Sequence, residues 1–66
     1  MSYRVHIIIK GQIDSKKLWE QIQCFPVNLL DAADSVWIYG YVESKDVQQL
    51  INRCSKFGSI DASIQS

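Results

Sequence analysis

The sequence predicts one small α+β domain in the order βαββαβ, assembled from two copies of a β–α–β half. Three observations lead there. The chain repeats itself. Each copy switches from period-two to helical periodicity between turn residues. And 66 residues leave room for a single domain, residues 1–66, with half-repeats at about 4–33 and 34–65.

The repeat is direct. Gly11-Gln12-Ile13-Asp14-Ser15-Lys16 returns as Gly40-Tyr41-Val42-Glu43-Ser44-Lys45. Upstream, Ile7, Ile8 and Ile9 align with Val36, Trp37 and Ile38; downstream, Leu18 and Ile22 align with Val47 and Ile51. With a one-residue shift, Leu30-Asp31-Ala32 answers Ile60-Asp61-Ala62. An echo that keeps register over most of a half-chain marks a duplicated unit.

Each element follows from local chemistry. Val5, Ile7, Ile9 and Ile13 alternate with other residues as a half-buried strand requires, and Val36, Ile38 and Val42 do so in the second copy. Ser15 and Ser44 stand where an N-cap belongs. Leu18, Ile22 and Phe25 form the apolar stripe of the first helix, which Pro26 stops. Val47, Leu50, Ile51 and Cys54 form the second stripe, with Gly58 as its stop. Strands at residues 27–32 and 59–64 complete the halves, joined by a turn around Ala33-Asp34. Residues 28–34 contain helix formers, but strand is the expectation because their counterpart in the second copy is short and β-branched. Gly11 and Gly40 are expected to face inward, letting a helix approach the sheet.

Composition narrows the function classes. With 47% hydrophobic and 21% charged residues the chain is globular, not a disordered tail. Seven basic and seven acidic residues leave no net field to draw it to nucleic acid or an anionic membrane. The apolar run at residues 5–9 is interrupted by His6 and too short for a leader or a span, so the expected location is cytoplasmic. Cys24 and Cys54 fall near separate helix ends, with neither a bridging geometry nor a metal-ligand spacing. Cys54 reads as a core residue and Cys24 as partly exposed. The Gly-x-x-x-Ser-Lys pairs lie at opposite ends of the domain and carry no Walker or dinucleotide spacing. No catalytic residue, cofactor or metal is assigned, and the expectation is a protein that is not an enzyme.

The third strand holds the functional signal. If Val36, Ile38 and Val42 face the helices, Trp37, Tyr39 and Tyr41 stand in a row on the open face. His6, Ile8 and Lys10 join them from the first strand, beside Arg4, and Leu29 is expected there from the second, with Asp31 and Asp61 flanking. Three aromatics cover about 450–750 Å², against ~800 Å² for one side of a standard interface. The expected partner-binding set is therefore Trp37, Tyr39, Tyr41, Ile8, His6, Lys10 and Leu29.

Two βαβ-type halves in this order resemble the ferredoxin-like fold, which implies a two-layer sandwich of four antiparallel strands, ordered 4-1-3-2, with two helices on one face and a pseudo-twofold axis. Acylphosphatases share that architecture, but their glycine-rich phosphate loop and its arginine have no counterpart here. Residues 36–60 resemble the first half of an RNA-recognition motif, from Trp37-Ile38-Tyr39-Gly40 to Lys56-Phe57-Gly58-Ser59-Ile60. That implies weak single-stranded RNA or DNA binding, although two phosphate contacts would give a salt slope of only about −1.8. The element order also resembles the ACT family of regulatory domains, with Gly11-Gln12-Ile13-Asp14 in place of its Asp-x-Pro-Gly turn. In size and fold the chain resembles small phage-encoded inhibitors. The leading expectation is a protein-binding or self-associating module, an inhibitor or adaptor of a larger complex, working through the open sheet face.

Overall fold

Alternating side chains build the centre of the sheet. In the computed structural model, which describes residues 1–65, β1 (Ser2–Lys10) buries Val5, Ile7 and Ile9, and β3 (Ser35–Glu43) buries Val36, Ile38 and Val42. The two strands pair antiparallel over their full length, from Ser2 opposite Glu43 to Lys10 opposite Ser35. β2 (Val27–Asp31) adds to the free side of β3, and β4 (Ile60–Gln65) to the free side of β1. The result is one antiparallel sheet ordered β2-β3-β1-β4, which is 4-1-3-2 read from the other edge. Residues 27–31 are strand, as expected.

α1 (Ser15–Ile22) and α2 (Ser44–Ser55) cover the inner face. Neither is long enough to be stable by itself, so packing holds both. Leu18 and Ile22 of α1 and Leu50 and Cys54 of α2 are fully buried against the six strand residues, with Phe25 and Val27 closing one end. Val47, Ile51, Ile13, Leu29, Phe57 and Ile60 pack around this core.

The helix starts differ from the expectation. The N-caps are Asp14 and Glu43, one residue before the serines. Asp14 Oδ1 accepts the Lys17 amide at 3.3 Å, as a carboxylate at this position does better than a serine inside the helix. Ser15 is left free to donate from Oγ to Asp31 Oδ2 at 2.8 Å, which ties α1 to the end of β2. Glu43 makes no side-chain cap bond. It accepts instead from the Met1 ammonium at 3.0 Å, and this contact, ahead of the ammonium's charge, holds the Glu43 carboxyl below its usual range.

Arg53 joins the two helices. Its Nη1 donates to the Gln21 carbonyl at 2.8 Å and contacts Cys24 Sγ at 3.3 Å, while its guanidinium lies 5.3 Å from the Phe25 ring centre. A cation thus satisfies a free carbonyl at the C-terminus of α1. Both thiols are free, Cys24 exposed and Cys54 buried.

The glycines also depart from the expectation, since neither admits a helix. A Cβ on Gly40 would meet the Pro26 carbonyl oxygen at 2.5 Å and the Val27 Cα at 2.8 Å, so the missing side chain admits the chain entering β2. Gly11 has open space around it but a φ of +112°, a conformation that L residues rarely adopt. Its amide donates to the Asp34 carbonyl at 2.9 Å, fastening the β1–α1 junction to the β2–β3 turn.

Two tests follow. Gly40→Ala should cost about 1–3 kcal/mol or more in a denaturant melt, because backbone atoms must move. Gly11→Ala should cost about 1–3 kcal/mol through strain alone. An unchanged midpoint for Gly40→Ala would contradict the close approach. For the thiols, a reagent should label Cys24 in the native protein and Cys54 only on unfolding. Burial pushes the Cys54 thiol up to about 11. The unfolded thiol releases its proton from about 8.5 upward. The Cys54 contribution to stability is therefore complete below that pH and declines as pH rises toward about 11. Equal native labelling of both thiols would overturn the assignment.

Candidate functional site

The helices cover one face of the sheet; the strand register lays out the other. Three cross-strand rows are formed on it. The first runs Leu30, Trp37, Ile8, Asp61 from β2 to β4. The second runs Asn28, Tyr39, His6, Ser63, and the third Tyr41, Arg4, Gln65. Lys10 lies beyond the first row, opposite Ser35. Four of the apolar side chains are exposed, Leu30 by 53%, Trp37 by 37%, Tyr39 by 44% and Tyr41 by 62%, and Ile8 between them is half-buried.

Trp37 is held in place. Its Nε1 donates to Ser35 Oγ at 3.1 Å, and the His6 ring meets it edge-on with centres 5.4 Å apart. The indole's one donor is thus used within the face, and the side chain is ordered before any partner arrives. At the other end of the strands, Arg4, His6, Tyr39, Tyr41, Ser63 and Gln65 border a shallow cleft of about 320 Å³. Arg4 is fixed there by a 2.7 Å bond from Nη2 to Gln65 Oε1.

Trp37, Tyr39, Tyr41, His6, Ile8 and Lys10 therefore share one face. Leu29 does not. It pairs with Ile38, points inward and packs against the core, and its neighbour Leu30 takes the outer position. The cause is a register slip in aligning the repeat. Leu29 and Ile60 are the equivalent residues, since Leu29 pairs with Ile38 and Ile60 with Ile9. Setting Leu30 against Ile60 moves the strand by one residue and inverts its faces. The same slip misplaces one aspartate: Asp61 lies on the aromatic face beside Ile8, while Asp31 is on the helix side with Ser15.

Leu30, Asn28, Ser63 and Gln65 complete the face and were missed. No local signal separates Leu29 from Leu30: Val27 and Leu29 point inward because the Pro26–Val27 backbone closes against Gly40. Among the described residues no cluster of three or more His, Cys, Asp or Glu side chains is placed to hold a metal ion, and no helix is long and apolar enough to cross a membrane. No protein-family model matches the chain, and the curated proteins contain no match to it.

The two leucines give a direct test of the strand phase. Leu29→Asp should destabilise the fold by about 2 kcal/mol or more by burying an unpaired charge. Leu30→Asp should change the unfolding midpoint by ~0.5 kcal/mol or less. The reverse order would place Leu29 on the open face.

Proposed function

We propose that the chain is a non-enzymatic protein-binding module, with the outer face of a ferredoxin-like, internally duplicated sheet as its docking surface. Support for the fold name is the 4-1-3-2 order and the pairing of β1 and β3 about Ile8 opposite Trp37, residues that the repeat makes equivalent. The observation that carries the function is the exposed patch of Leu30, Trp37, Tyr39 and Tyr41 around the half-buried Ile8. Contiguous apolar surface of this kind marks interaction sites, and Trp and Tyr are the residues most enriched at their energetic centres.

The charges describe the partner. Arg4 and Lys10 lie at the two ends of the face and Asp61 at one side of its centre. The complementary surface has an apolar middle, acidic groups toward Arg4 and Lys10, and a basic group toward Asp61. The carboxylate beside Ile8 repels phosphate and disfavours an anionic strand. The role that fits is an inhibitor or adaptor that blocks or bridges a larger protein.

Replacing Trp37 and Tyr41 together by Ser tests this. The variant should keep its far-UV circular dichroism and lose partner affinity by roughly 30-fold or more, one hot spot being worth about 2 kcal/mol. Arg4→Gln with Lys10→Gln should leave most of that affinity. Binding of oligo-RNA that collapses with salt and with those two changes would instead favour nucleic acid. An unfolded Trp37/Tyr41 variant would place the aromatics in the core and sink the proposal.

A further inference from the structure

The two edges of the sheet are unequally protected. β2 follows Pro26, carries Asn28 and Asp31, and is roofed by α1: Val27 is buried, Leu29 half-buried, and Asp31 is bonded to Ser15. β4 has one acidic residue as β2 does, and α2 packs against it, but no proline precedes it. Its six residues hold one charge, Asp61, and neither Pro nor Lys. Among the described residues, no strand lies along one side of its backbone. On its inner face Ile60 is half-buried, but Ala62 and Ile64 are exposed, Ile64 by 37%. Unpaired backbone groups next to an apolar row form a template for another strand.

The row also specifies which strand. Ile60, Ala62 and Ile64 read the same in both directions. An antiparallel copy with Ala62 opposite its own equivalent places each Ile60 opposite the other copy's Ile64, so all three apolar positions meet apolar positions. On the outer face Asp61 then lies opposite Ser63, and the two carboxylates avoid one another. A two-residue slip either sets Asp61 against Asp61 or deprives Ile60 of its partner, and like charges directly opposite disfavour the first.

We propose that the protein forms a symmetric dimer by antiparallel pairing of β4 with β4 of a second copy, making one continuous sheet from the two. The axis runs normal to the sheet, so both aromatic faces lie on the same side and stay free. A bivalent docking surface results. The dimer does not depend on the function proposed for those faces.

Sedimentation equilibrium up to about 1 mM should show the wild-type chain passing from one to two chain masses. Ala62→Lys, a change at an exposed position, should return it to one chain mass with its circular dichroism unchanged. In a Cys24→Ser background, which removes the exposed thiol, Ala62→Cys should cross-link two chains on oxidation. Ser63→Cys should not, because its two Cα atoms would sit diagonally, beyond the ~7 Å that a disulfide spans between Cα atoms. A wild-type chain that stays monomeric, equal cross-linking of the two cysteine variants, or a dimer that survives Ala62→Lys would overturn the proposal. So would a dimer dispersed by the Trp37/Tyr41 double change alone, since the aromatic face would then be the contact. Should Ala62→Lys unfold, the cross-linking pair decides on folded protein.

Discussion

The pairing of β1 with β3, which sets Ile8 opposite Trp37, governs the rest of the molecule. Both strands are nine residues long and sit in the middle of the sheet. Because side chains alternate, this one register sets Ile7 beside Ile38 and Ile9 beside Val36 under the helices, and Trp37, Tyr39 and Tyr41 on the other side. A one-residue slip would exchange the two sets, exposing six fully or nearly fully buried aliphatic residues. Burying a side chain of that kind is worth about 1.5–3 kcal/mol, so the alternative register is strongly disfavoured.

The outer strands and helices depend on that centre. Gly40 lies opposite both Val5 and Val27, and its lack of a side chain allows the Pro26–Val27 backbone to close against β3. The entry of β2 at that point decides that Val27 and Leu29 face the core. α1, only eight residues long, roofs this half of the sheet and is held at both ends, by Ser15 to Asp31 and by Arg53 to Gln21. At the opposite edge α2 packs against β4, but its cover stops near Ile60. The inner residues of β4 grow more exposed along the strand, from Ile60 to Ile64. One edge of the sheet is thus covered further along its length than the other.

On the open face, order and exposure coincide. Trp37 is bonded to Ser35 and met by His6, and Arg4 is tied to Gln65. Side chains already fixed in place lose little freedom on binding, which is what a small interface needs to be effective. Nothing in the core requires these aromatics: the inner residues of β1 and β3 are buried without them.

The linear sequence determined what depends on period and local chemistry. The alternation of Val5, Ile7, Ile9 and of Val36, Ile38, Val42 gave both central strands and the correct face for every aromatic on β3. Helical spacing gave Leu18, Ile22, Leu50 and Cys54 as core residues. What the tertiary structure decided depends on how separate segments meet. Leu29 and Leu30 are alike in hydrophobicity, and only the approach of Pro26–Val27 to Gly40 selects which one is buried. Asp14 and Ser15 are both capable caps, and the position of Asp31 draws the serine away. The exposure of Ala62 and Ile64 follows from where α2 lies, a distance between elements that no local pattern encodes.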